Sequence, residues 1–269
     1  MKRMETAIQW VDPDKPLPPA HTALEDPPGL VAAGLDLSIW RLEQAYSEGM
    51  FPWFNPGEPV LWWSPNPRAV LYCEELHLSR SMNKRMRKIE RDQASGSFFP
   101  CVVTVDCAFP TVMEACATRG APPGHAPVTG TWITPEMKHV YQQWHATGRA
   151  HSVETWMDGE LSGGLYGVSI GRMFFGESMF THRTDASKIA LVHLVRFLQR
   201  HHVQMIDCQM TTSHLVSLGA REIERRHFLD HVHFSTRQPD LSWHPGWIGA
   251  DGSINAGVPD CLKESGKLS

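Results

Sequence analysis

Residues 174–209 read FFGESMFTHRTDASKIALVHLVRFLQRHHVQMIDCQ, an apolar run, a helical run and a second apolar run in succession. Phe174 to Phe180 reads as a strand carrying Glu177. Ile189, Val192, Val195 and Leu198 then recur at helical spacing, behind Asp185 or Ser187 as a cap. Val203 to Gln209 reads as a second strand. Two strands joined through a helix imply a crossover. Upstream, Val153 to Met157 and Leu161 to Ile170 flank Asp158-Gly159, a hairpin signal that adds antiparallel strands. The expectation is an α+β fold, with a mixed sheet and flanking helices.

Working outward, Pro13 to Pro28 is rich in Pro and Asp and reads as an irregular arm. Ser38 caps a helix through Trp40, Leu42, Ala45 and Tyr46 that ends near Gly49. Phe51-Pro52-Trp53-Phe54 and Trp62-Trp63-Ser64-Pro65 then bracket a turn at Pro56-Gly57, and these aromatics form either a small core or stacking faces. Arg68 to Cys73 is a strand. Ser79 or Ser81 caps the next helix, where Met82, Met86 and Ile89 make an apolar stripe and Arg80, Lys84, Arg85, Arg87, Lys88 and Arg91 a dense basic one. Such a stripe is either a solvated face or a phosphate-binding surface. Cys101 to Val105 is a strand, Pro110 to Ala117 a helix, and Arg119 to Gly130 a Gly- and Pro-rich loop. Thr134 and Pro135 open another helix.

The 269 residues, 42% hydrophobic and 20% charged, suit a soluble protein of one large or two unequal domains. No run approaches the roughly 18 apolar residues of a membrane span. Met1 to Ala20 carries charges and prolines where a secretory signal needs an apolar stretch, so a cytoplasmic protein is expected. The six cysteines form no C-x-x-C pair, and His201-His202 and His231/His233 lack zincin spacing, so neither a disulfide framework nor a metal centre is expected. A net charge of −4 argues against coating nucleic acid with the whole surface but leaves room for a local basic patch.

Strand alternation aims Asp207 and Gln209 at one face with Cys208 turned back, and Glu177 brings a second carboxylate toward a cleft. The arrangement suits either a hydrogen-bonded structural group or a site that binds a cation and handles a proton. A serine hydrolase is disfavoured, because Gly176-Glu177-Ser178 begins like a nucleophile elbow but Phe180 occupies the second glycine's place. P-loop and dinucleotide signatures are missing. Acyl transfer without a covalent intermediate remains: an amine attacking an activated ester needs alignment, loss of one proton and a stabilised oxyanion.

The ordered motifs settle the choice. They are Ala45-Tyr46 with Gly49 to Phe54; Leu61 to Arg68; Gly130-Thr131-Trp132-Ile133-Thr134; His151 to Glu154; Gly164 to Gly167; Gly176 to Phe180; Ala186-Ser187-Lys188; Ile206 to Gln209; and Ser217 to Ala220. Together, over residues 25–235, the chain resembles the leucyl/phenylalanyl-tRNA-protein transferases, the bacterial N-end-rule aminoacyltransferases. The resemblance implies transfer of Leu or Phe, and less readily Met, from aminoacyl-tRNA to proteins with N-terminal Arg or Lys, marking them for N-end-rule degradation without a cofactor. It implies a small N-terminal domain (1–67) and a catalytic domain (68–269) like the acyl-CoA N-acyltransferase fold. The alternative, an acyl-CoA-dependent N-acetyltransferase, is disfavoured because no glycine-rich pyrophosphate loop lies between Phe180 and Asp185.

The resemblance also implies roles. Glu177 binds the acceptor's basic side chain. Gln209 orients the α-amine through its carbonyl and Asp207 is its electrostatic or proton-accepting partner, with a relay from Asp207 through Gln209 also open. Trp53 and Trp132 hold the terminal adenosine of tRNA. Leu165, Met179 and Ile206 form the pocket for the transferred side chain, Ile206 despite its opposite strand parity from Asp207. Tyr46 and Tyr141 match the substrate site, and Arg80, Lys84, Arg87 and Lys88 match the acceptor-stem patch. Ala121 to Val128 reads as an insertion, and the tail after His244 has no counterpart in the resemblance.

Overall fold

The computed structural model describes residues 8–95, 101–118, 133–257 and 262. Strands β1 (Gln9–Val11) and β2 (Leu30–Gly34), helix α1 (Ile39–Ser47), and strands β3 (Phe51–Pro52) and β4 (Val60–Trp63) build a first sheet of order β1-β2-β4-β3. Then follow β5 (Arg68–Tyr72), α2 (Arg80–Ala94), β6 (Cys101–Val105), α3 (Phe109–Ala117), α4 (Pro135–Ala146), β7 (Ala150–Met157), β8 (Glu160–Ile170) and β9 (Met173–Thr181). The chain continues through α5 (Ala186–Arg200), β10 (Met205–Gln209), α6 (Ser213–Ser217), β11 (Arg221–Ile223), α7 (Arg225–Ser235), β12 (Gly246–Ile248) and β13 (Ile254–Ala256). The second sheet runs β11-β5-β10-β9-β8-β7-β6-β12-β13. Its β9/β10 pair is parallel and its other pairs are antiparallel, the mixed α+β arrangement expected from the crossover through α5.

Eleven of the fifteen α5 residues are buried, so this helix is apolar nearly all round and sits between sheet and neighbouring helix. With the buried Met82, Met86 and Ile89 of α2, it covers one sheet face, meeting Leu165, Phe174 and Ile206. Each such apolar side chain contributes about 1.5–3 kcal/mol when fully buried. The other face carries α3, α4 and α7, and the same core continues without a break into α1 and the first sheet.

The local expectations are met in part. Asp185 occupies the α5 N-cap position, but at φ 67° its side chain accepts no helix N–H; it pairs instead with Arg85 (3.3 Å) and Lys188 (3.6 Å). Ser187 lies inside the helix. Of the two serines before α2, Ser79 is the cap, accepting from Met82 N. The Pro-rich arm is irregular but anchored, with Leu17 and Ala20 buried. The tail after His244 adds β12 and β13 to the sheet, where short segments with mixed polarity gave no period to read.

Candidate active site

Strands β9 and β10 pair only through Ile206 with Phe174 and Asp207 with Phe175, so beyond those residues their C-terminal ends part. Each strand carries a bulge there. In β9, Gly176 lies opposite Gly167 and Ser178 opposite Tyr166, which leaves Glu177 as the extra residue. Phe174 and Met179, five positions apart, therefore face the same α5 side, where regular alternation would oppose them. Gly167 is required at this turn of the ladder, since a Cβ there would lie 2.3 Å from the Phe175 carbonyl oxygen. In β10 the register shifts between Asp207 and Gln209, and Gln209 adopts φ 62°.

The bulge delivers Glu177 into a cluster drawn from distant parts of the chain. Its Oε1 accepts from Tyr46 Oη of α1 (2.6 Å) and Gln209 Nε2 (2.9 Å), and its Oε2 from Tyr141 Oη of α4 (3.4 Å). The two tyrosine hydroxyls touch at 2.5 Å. Glu177 keeps a partly exposed edge, yet loss of hydration around its carboxyl pushes its pKa up to about 8, against the lowering effect of the Tyr46 hydrogen bond; nearby Asp207 raises it further. Both tyrosines are held well above the ordinary phenol range, first by burial and then by Glu177. Because Gln209 gives its amide N–H to the carboxylate, its carbonyl oxygen is left without a partner among the described residues.

Asp207 does not share this cluster directly. Regular alternation is interrupted by the bulge, and the Asp207 carboxylate is fully buried against the equally buried Arg68 of β5: Nε donates to Oδ1 at 2.8 Å and Nη2 to Oδ2 at 2.6 Å. Oδ1 also accepts the Gln209 backbone N–H (2.9 Å). The Arg68 guanidinium lies over Phe51 (4.8 Å) and Phe228 (4.4 Å). Sequence reasoning gave Arg68 no role. The available signal was a lone charge opening the otherwise uncharged strand Arg68-Ala69-Val70-Leu71-Tyr72.

On the opposite face Leu165 pairs directly with Met179, and Ile206, one strand over, joins the same apolar cluster. Ile206 and Asp207 thus face opposite sides, as their parity dictates. Trp62, Phe51 and Phe54 are core, but Trp53 is 46% exposed, set edge-on to Trp63 (centroids 5.8 Å) and accepting Trp63 Nε1 at its carbonyl (2.8 Å). Trp132 and the 121–128 insertion lie outside the described residues. Arg80, Lys84, Arg87 and Lys88 are all exposed; Arg80, Lys84 and Arg87 line a shallow depression with Asn83, Glu90 and Arg91, while Lys88 pairs with Asp92 at 3.3 Å. Arg85 fixes α2 to the β9–α5 connection through the Thr184 carbonyl (2.6 Å). The basic face and the Leu165–Met179–Ile206 cluster therefore both adjoin the end of β9. Among the described residues no three His, Cys, Asp or Glu side chains gather as a metal site, and no helix is long and apolar enough to cross a membrane.

Comparison with known proteins finds relatives over most of the chain. Residues 70–233 match the family model described as leucyl/phenylalanyl-tRNA protein transferase, and residues 35–66 match that of its N-terminal domain. The chain is 51% identical to the leucyl/phenylalanyl-tRNA–protein transferase of Bordetella bronchiseptica, over 92% of this chain and 95% of that one. It is 54% identical to that of Chromobacterium violaceum, over 88% and 96%. Among solved structures, the C-terminal domain of a putative lysylphosphatidylglycerol synthetase from Agrobacterium fabrum aligns at TM-score 0.34 and 12% identity, over 82% of this chain and 69% of that one, too distant to bear on the site. The chain therefore belongs to the leucyl/phenylalanyl-tRNA protein transferase family of aminoacyltransferases.

Proposed function

We propose that this enzyme transfers Leu or Phe, and less readily Met, from charged tRNA to cytoplasmic proteins whose first residue is Arg or Lys, marking them for N-end-rule degradation. The observation that carries this reading is the Glu177 cluster: a carboxylate where the sheet splits, with the Gln209 carbonyl, unpartnered among the described residues, beside it and the Leu165–Met179 pair nearby. A guanidinium or ammonium on the Glu177 carboxylate sets the acceptor α-amine near Gln209, whose carbonyl accepts an amine N–H. The amine nitrogen attacks the ester carbonyl of the aminoacyl-tRNA. The C–N bond forms, the ester C–O bond breaks, and the terminal ribose leaves with a proton as the amine loses one. The donor ester is already activated, so alignment supplies much of the rate.

Leu165, Met179 and Ile206 accept the transferred side chain, and the flexible Met179 lets Leu and Phe share one pocket. The exposed Trp53, with Trp132, stacks the terminal adenosine. Arg80, Lys84, Arg87 and Lys88 hold acceptor-stem phosphates without reading bases. Residues 1–67 act as a small domain completing a catalytic domain of residues 68–269, to which they contribute Tyr46. Incubation with labelled Leu-tRNA and peptides beginning with Arg, Lys, Asp or Ala tests the reading. Labelling confined to Arg and Lys peptides is expected; free leucine alone, or labelling that needs an acyl-CoA, refutes it.

A further inference from the structure

We infer that Arg68 is a positioning residue for the transfer step, acting through Asp207 to hold Gln209 in the backbone conformation that presents its side chain to the acceptor amine. The inference rests on the reading that Gln209 receives that amine. A carboxylate offers about four lone-pair sites, and three N–H groups reach the one on Asp207: Nε and Nη2 of Arg68 and the backbone N–H of Gln209. The ion pair is shut away from solvent on both sides. Asp207 thus faces a permanent cation, while the side chain of Gln209, two residues on, faces Glu177.

The device answers a backbone requirement. Gln209 sits at φ 62°, a region that L side chains other than Asn and Asp seldom adopt. The Asp207 Oδ1 bond to its N–H closes the turn that keeps it there, and its amide then reaches Glu177 Oε1. Arg68 fixes both carboxylate oxygens at once, so Asp207 cannot rotate and release that N–H. The rings of Phe51 and Phe228 fix the guanidinium in turn. Its remaining nitrogen, Nη1, is buried without a hydrogen-bond partner among the described residues, so Asp207 is its one anionic partner there. A lysine has neither the planar fork nor the stacking face and would hold one oxygen only.

A mutant cycle on the full chain separates positioning from general support. Arg68→Lys, Gln209→Ala and the double variant are assayed with Leu-tRNA varied up to saturation and an Arg-initiated peptide held at saturation. Arg68→Lys is expected to lower kcat by about a hundredfold while KM for Leu-tRNA moves by less than about twofold. In the Gln209→Ala background the same change is expected to cost nothing further, because the group it positions is gone. Losses that multiply in the double variant, or full turnover by Arg68→Lys, overturn the inference. If circular dichroism shows Arg68→Lys unfolded, Asp207→Asn replaces it in the cycle with the same two outcomes. Wild-type protein that transfers to no acceptor defeats the proposed function itself, whereas wild-type transfer with multiplying losses defeats only the role of Arg68.

Discussion

Glu177→Gln tests the acceptor site through protons. With the free-site pKa at about 8, only about one Glu177 in eleven is ionised at pH 7. An acceptor guanidinium needs the ionised form, so its binding releases about 0.9 proton at pH 7 and about 0.1 at pH 9, and Kd falls by about tenfold between them. The sign follows from the direction of the shift: an acid raised by burial loses its charge, and with it the cation, as pH falls through about 8. The α-amine of the peptide titrates in the same range, near pH ~8, and Glu177→Gln supplies the correction because it keeps that amine and removes the carboxyl. Calorimetry of an Arg-initiated peptide, in buffers of different ionisation enthalpy, measures proton release for both proteins. A wild-type excess of about 0.9 proton at pH 7, shrinking to about 0.1 at pH 9, is expected. Equal release by both proteins at pH 7 would refute the assignment of Glu177 as the cation's partner.

Two tryptophans nine positions apart should behave differently. Trp62→Ala, at 1% exposure, should destabilise the fold by about 3–5 kcal/mol in denaturant unfolding. Trp53→Ala should leave that stability nearly unchanged and weaken Leu-tRNA binding by about 1–3 kcal/mol in KM, and an unchanged KM would remove it from the tRNA site. Reversing Lys84 and Arg87 to Glu should reduce the slope of log affinity for tRNA against log salt by about two, measured between about 50 and 200 mM. Buried Glu154, whose pKa burial pushes up to about 7, costs stability as pH rises from the unfolded carboxyl's range toward 7. Glu154→Gln should therefore gain melting temperature relative to wild type between pH 5 and pH 8; a constant difference would contradict this.

Much of the fold lies in local periodicity. The apolar spacing of α5 and α2, the Asp158-Gly159 turn and the apolar runs on either side of α5 each depend on neighbours in the chain, so they can be read without the rest of the molecule. The same holds for which residue types gather at the ends of β9 and β10. Their geometry does not follow from alternation. One extra residue in each strand turns Glu177 toward Tyr46 and Tyr141, 131 and 36 positions away in sequence, and sends Asp207 and Gln209 to different partners. A bulge is a property of two paired strands, and neither strand alone specifies it. Exposure separates Trp53 from Trp62 in the same way, because only the assembled sheet decides which ring is covered. The sequence by itself determined the crossover, the basic helix and the residue types at the ends of β9 and β10. Tertiary structure decided that Asp207 pairs with Arg68 while the Gln209 side chain reaches Glu177, since a buried charge takes whichever partner folding brings within reach.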